Sequence, residues 1–209
     1  MKNASIILFI LTFLPSCATK NKAIEKITQF NDEGMVIPLK IGYRVNMFDN
    51  VPKQEYAAYI NSPSKQSVSW VHHGRKIILQ DQNGSVTAYP SVDLQYVIAI
   101  YKGLESKNKP PCNAVIYKAD GTIHKVLKIP VLESENILKR ISFNKDSNPP
   151  FESSSFEGGL LFDNYDWWKN EQGVIIDRVR IIYDRDWIEW RQLNVKTGEI
   201  GIYIGQGKL

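Results

Sequence analysis

Three carboxylates, Asp163, Asp166 and Glu171, fall close together in the chain, with Trp167 and Trp168 between the last two. Two carboxyl groups facing each other across a groove, about 5–10 Å apart, are what glycoside hydrolysis needs. Proximity in sequence does not supply that spacing, and acidic residues are also common in solvated turns. Asp177 interrupts an otherwise apolar alternation of Ile175, Val179, Ile181 and Tyr183. Arg178 and Arg180 point the other way, so a structural ion pair with a neighbouring strand is the expected account of Asp177. Three histidines complete the reactive inventory. His72 and His73 are adjacent and, within a strand, would face opposite sides; His124 stands alone beside Asp120-Gly121. Neither arrangement has metal-ligand spacing. The chain carries no nucleophile elbow, Cys-x-x-Cys, His-Glu-x-x-His, phosphate loop or calcium loop. No catalytic residue, metal or cofactor is therefore assigned.

The densest aromatic segment runs from Phe151 to Trp168 and includes Phe151, Phe156, Phe162, Tyr165, Trp167 and Trp168. Tryptophan and tyrosine bring large contact area at small entropic cost, which enriches them at binding hot spots. Phe162 with Leu160 and Leu161 reads as core, whereas Asp166-Trp167-Trp168-Lys169 reads as a polar-flanked tip. Tyr165, Trp167 and Trp168, with Trp187 and Trp190 further on, form the candidate binding surface. Core packing competes with this reading at each position, because large aromatics mostly bury.

The elements that must position these residues read chiefly as strands. Lys76–Gln80 and Ser85–Tyr89 flank Asn83-Gly84, and Ala114–Lys118 and Thr122–Ile129 flank Asp120-Gly121. Such pairs tolerate the positive φ of hairpin turns. Val92–Tyr101 is an apolar run expected to be covered on both faces. Val174–Tyr183, Trp187–Val195 and Ile200–Ile204 follow, separated by short polar turns, so an antiparallel meander is expected. Helical spacing appears at Ala23, Ile24, Ile27 and Phe30, over Asn50–Asn61, and over Val131–Phe143 with Ser134 as cap. Asn144 to Gly159 has no periodicity. The expected fold is β-rich α+β: mainly antiparallel sheet from successive hairpins, with two or three short helices. The segment Tyr89–Val97 with Ile116–Gly121 is loosely similar to one blade of a β-propeller repeat and covers about a sixth of the chain. No second or third copy follows at a fixed period, so a single β-rich domain is expected.

The N-terminus supplies an address. Lys2 precedes an apolar run, Ile6–Leu14, which at nine residues is too short for a spanning helix of about 20. Leu14-Pro15-Ser16-Cys17 follows, and with this box the segment resembles a bacterial lipoprotein signal peptide. The resemblance implies cleavage before Cys17, with acyl chains on its sulfur and amino group anchoring the protein to a membrane. Ala18 rather than Asp after the cysteine implies, by the same resemblance, the outer membrane with the domain facing the periplasm. The organisation expected is a signal peptide over 1–16, a tether over 17–35 and one β-rich globular domain over 36–209.

Loss of sixteen residues leaves 193, a length suited to one sizeable core. With Cys17 acylated, Cys112 has no disulfide partner, and burial near a strand start is expected for it. The formal charge of +4 falls to +3 without Lys2, too little and too dispersed for a nucleic-acid partner. The function expected is that of a membrane-anchored, non-enzymatic periplasmic lipoprotein that binds another protein or an envelope component. Immunity against a periplasm-delivered toxin is one specific form of this, by analogy of size and address. A cell-wall or glycan hydrolase using Asp163–Glu171 is the enzymatic alternative.

Overall fold

β-branched and aromatic residues in short runs favour extended chain wherever turns separate them, and strands dominate the result. The computed structural model describes residues 23–42, 51–103, 105–146 and 159–209, with backbone only for 144–146. Cys17 and its box, Asn50, Phe151 and Phe156 lie outside the described residues. Among the described residues, twelve strands and two helices occur in the order β1 (Lys26–Asn31), β2 (Val36–Pro38), α1 (Lys53–Asn61), β3 (Gln66–His72), β4 (Arg75–Leu79), β5 (Ser85–Pro90), β6 (Tyr96–Lys102), β7 (Ala114–Lys118), β8 (Ile123–Val126), α2 (Glu135–Asp146), β9 (Leu160–Lys169), β10 (Ile175–Tyr183), β11 (Trp187–Asn194) and β12 (Glu199–Lys208). They form three four-stranded antiparallel sheets, ordered β2-β1-β3-β4, β5-β6-β7-β8 and β12-β11-β10-β9. The β-rich fold class read from sequence is the one observed. The blade-like segment lies in the second sheet, a meander in chain order.

One apolar cluster draws on all three sheets: Ile27, Val68 and Trp70 from the first, Ile98, Ile100 and Ile116 from the second, and Phe162, Val179 and Ile181 from the third. β5 lies against β1 and β3, and β6 against β9. Strand β6 is buried from Val97 to Tyr101, as its unbroken apolar run requires.

Several local expectations are corrected. Ala23–Phe30 is not a helix, and the stretch expected as tether is structured from Ala23 onward. Lys26–Asn31 pairs with β3, and Ile24 and Ile27 enter the core; helical and strand patterns are hard to tell apart in so short an apolar run. Asn83-Gly84 does not close a hairpin. It carries the chain from β4 in one sheet to β5 in another, and a Cβ on Gly84 would stand 2.4 Å from the Lys102 carbonyl oxygen. Close backbone approach, rather than positive φ, is what glycine provides there. Asp120-Gly121 does close the β7–β8 hairpin, with Gly121 at φ +89° and Asp120 accepting from the Thr122 hydroxyl. Residues 92–95 form a turn rather than the start of β6, with Leu94 at φ +58°. Ser134 caps α2 as expected, its Oγ accepting from the Ile137 N–H at 3.3 Å, and the helix runs on to Asp146. Cys112 is half-buried in the turn after Lys109, not in the core.

Candidate functional site

The five aromatic candidates and the acidic cluster fall on or beside the β9–β12 sheet, whose alternation sorts them onto two faces. On β9 the inward positions are Phe162, Tyr165 and Trp167, all buried. Tyr165 and Trp167 are therefore not surface residues, and 166–169 is not an exposed tip but the end of a ten-residue strand. Trp167 donates through Nε1 to the Pro90 carbonyl at 2.8 Å, and Tyr165 stacks on Tyr89 with ring centroids 5.9 Å apart. Trp187 also packs against the core, with the Lys208 ammonium 5.4 Å from its ring.

Trp168 and Trp190 take the outward positions and are half-buried. Arg178, on β10 between their strands, fills the space between the two rings. Its guanidinium lies 3.9 Å from the Trp168 ring centroid and 3.7 Å from that of Trp190. Cross-strand pairing positions the group: Asp166 stands opposite Arg178, and Arg180 opposite Trp190. Arg178 grips Asp166 through Nε at 2.8 Å and Nη2 at 2.7 Å. The two side chains are each only 8% exposed. A planar fork on a carboxylate, stacked between indoles, satisfies a charge that would otherwise be costly to remove from water.

A β-bulge supplies the next pair. The register shifts between Arg180 and Ile181, so that Asn164 and Phe162 are matched and Asp163 is the extra residue. Arg180 holds Asp163 through Nε at 2.9 and 3.0 Å and Nη2 at 2.6 Å. Both oxygens of Asp163 and of Asp166 are thus occupied by guanidinium hydrogen bonds. Glu171, the third carboxylate, is exposed in the β9–β10 turn. The cluster read from sequence does not assemble into a facing acid pair.

Asp177 has partners other than a cation, and among the described residues the expected ion pair is not found. Its Oδ1 accepts from the Tyr165 hydroxyl and, at 2.9 Å, from the Val92 N–H. Burial pushes its carboxyl up to about 6, against the two hydrogen bonds that favour the charged form. The Tyr165 phenol is raised well above its usual value, first by burial and then by the neighbouring carboxylate. Asp177 lines a cleft of about 410 Å3 with Asp93, Gln192 and Lys196 among the polar groups and Ile175, Ile176 and Leu193 among the apolar ones. Asp93 Oδ1 is engaged by Ser91 Oγ at 2.6 Å and the Gln95 N–H at 3.1 Å.

Sequence reasoning missed a second polar cluster, centred on Glu189 and Arg191. Both are buried on the inward side of β11, and Glu189 accepts from the Glu133 and Ser134 N–H groups at 3.0 and 2.6 Å, just before α2. Arg191 reaches the Val131 carbonyl at 3.0 Å and the Glu133 carboxylate. A charged pair at alternate positions of an otherwise inward-facing strand was its only sequence signal.

The histidines differ from expectation as well. His73 has φ +48°, and the turn after β3 brings its ring to 4.1 Å from that of His72, centroid to centroid. His72 Nδ1 lies 2.7 Å from the Ala23 carbonyl oxygen. Among the described residues, no group of three or more His, Cys, Asp or Glu is placed to hold a metal ion. Comparison with protein-family models, curated proteins and solved structures finds no match to this chain.

Proposed function

We propose that the protein is a lipid-anchored envelope protein that acts by binding rather than by catalysis, with the outward face of the β9–β12 sheet as its contact surface. The observation that carries this reading is the Trp168–Arg178–Trp190 stack. Two half-buried indoles are held in place by strand pairing and by a guanidinium fixed on Asp166. Aromatic groups ordered before contact lose little freedom on binding, which favours affinity. The same arrangement argues against hydrolysis by Asp163 and Asp166, since arginines already occupy both carboxylates. Anchoring rests on the resemblance of Leu14–Cys17 to a lipoprotein box, and with it the placement at the outer membrane facing the periplasm. A periplasm-delivered toxin is one partner compatible with that address.

The hydrolase reading keeps one specific support, Asp177 with its raised carboxyl in the cleft beside Asp93. Asp177→Asn and the pair Trp168→Ala, Trp190→Ala separate the two readings. Each protein is incubated with purified cell-wall fragments and, separately, crosslinked in native envelopes. A binder shows no release of wall fragments by the wild type, and a discrete crosslinked adduct that disappears only in the tryptophan variant. Fragment release that Asp177→Asn abolishes overturns the proposal.

A further inference from the structure

The outward face of the β2-β1-β3-β4 sheet carries exposed basic and aliphatic side chains, Lys26, Lys76, Ile78 and Val36. Directly paired residues share a face, so Lys26, Val71 and Lys76 form one row across three strands. Thr28, Ser69 and Ile78 form the next, and Val36, Phe30 and Ser67 a third. Ser67 and Ser69 in the middle of the face are buried and Thr28 is half-buried, so exposure is confined to the two sides, where Ile78 and Val36 stand 54% and 58% exposed. The opposite side of the sheet carries Ile27, Val68 and Trp70 into the core. His73, exposed in the β3–β4 turn, lies beside this row, whereas the exposed Arg75 pairs with His72 and belongs to the opposite face. Glu25 beside Lys26, and Asp120 within electrostatic reach of His72, offset part of this charge.

The basic row lies at the corner where the described chain begins. The Ala23 carbonyl oxygen is 2.7 Å from His72 Nδ1, and the Glu25 N–H donates to the Val71 carbonyl at 3.0 Å. Five residues separate Cys17 from Ala23, and the six Cα steps between them span no more than about 20 Å however they are arranged. We infer that this face, led by Lys26, Val71, Lys76 and Ile78, docks on the anionic lipid headgroups of the membrane to which Cys17 is acylated. The inference rests on that acylation, which holds the corner within reach of the bilayer. Lysines near an anionic surface are attracted to it over about a Debye length, and exposed aliphatic side chains beside them favour the interfacial region. Docking would fix which way the β9–β12 face is presented.

The test uses the full acylated chain with Cys112→Ser and a nitroxide on Ile78→Cys, or on Ile202→Cys of β12 as reference, 70% exposed in the free protein. The proteins are reconstituted in vesicles of phosphatidylethanolamine with phosphatidylglycerol, or of phosphatidylcholine alone. In the anionic vesicles the label at 78 is expected to lose accessibility to an aqueous nickel relaxant and gain it to oxygen, while the label at 202 does not. Lys26→Glu with Lys76→Glu is expected to abolish that protection, as is phosphatidylcholine alone. Equal nickel accessibility at 78 and 202 overturns docking. So does protection at 78 that persists in detergent without lipid, which would mean a second copy or another protein covers the face. Mass spectrometry of the same preparation reads the acyl chains on Cys17. Their absence overturns the anchor and the docking together, whereas their presence without protection at 78 overturns docking alone.

Discussion

Arg178 holds Asp166 by two hydrogen bonds of 2.8 and 2.7 Å across adjacent strands, with a tryptophan ring on each side of the guanidinium. The tryptophans remove water from the pair, and the pair in turn fixes where the tryptophans stand. Removing one partner therefore differs from removing both. Asp166→Asn leaves a guanidinium enclosed without its counter-charge and is expected to cost about 3–5 kcal/mol. Replacing both residues, with Asp166→Leu and Arg178→Met, is expected to cost far less. Urea denaturation of Asp166→Leu, of Arg178→Met and of the double, read as a double-mutant cycle, checks this.

Trp168→Ala and Trp190→Ala are expected to act on stability modestly and on binding strongly. Each removes one ring from Arg178, a contact worth roughly 0.5–2 kcal/mol, and neither ring fills the core. Thermal unfolding of the variants should show a single cooperative transition, lowered by a few degrees. Loss of the folded signal altogether would place these rings among the core supports instead.

Asp177 gives stability a pH dependence of defined sign. Its carboxyl is raised to about 6 in the folded protein, whereas an unfolded chain holds aspartate near 3.9. Between those values the folded state binds the extra proton, so stability from this group rises as pH falls from about 7 towards 4. The full swing is roughly 2–3 kcal/mol. Asp177→Asn should flatten that part of the profile when unfolding free energies are measured against pH. An unchanged profile would assign the dependence to other groups.

Gly84→Ala tests the crossover between the first two sheets. A Cβ there meets the Lys102 carbonyl oxygen at 2.4 Å, and backbone cannot yield as a side chain can. A loss of more than about 2 kcal/mol is expected. Gly201→Ala, where nothing lies within 4 Å of a new Cβ, serves as the comparison in chemical denaturation.

Much of the third sheet was legible in the chain. Val174–Tyr183 and Trp187–Val195 are long β-prone runs, and the turn at Asp184-Arg185 takes positive φ at both residues, 52° and 62°. The alternation that placed Arg178 and Arg180 opposite Asp177 on β10 was correct. Strand β9 was not legible, because its bulge at Asp163 breaks the period of two and its acidic-aromatic mixture resembles a turn. That break also hid the separation of Trp167 from Trp168. Asn83-Gly84 misled for a different reason: it meets the chemical requirement of a hairpin, yet Gly84 is needed for close approach to Lys102. The contacts of Arg178 with Asp166 and Trp190, each twelve residues away in the chain, depend on the register between neighbouring strands, which no local pattern carries. The partners of Asp177 were out of reach for the same reason, since Tyr165 stands on the neighbouring strand and Val92 in the turn between β5 and β6.

The most direct test of the central claim places a photo-reactive amino acid at Gln192, which pairs with Arg178 across β10 and β11. The full acylated chain is irradiated in native envelopes, with and without Trp168→Ala and Trp190→Ala. The account predicts a discrete adduct at a fixed mass that is lost when both tryptophans are removed. No adduct from position 192, or the same adduct at undiminished yield in the double variant, would contradict it.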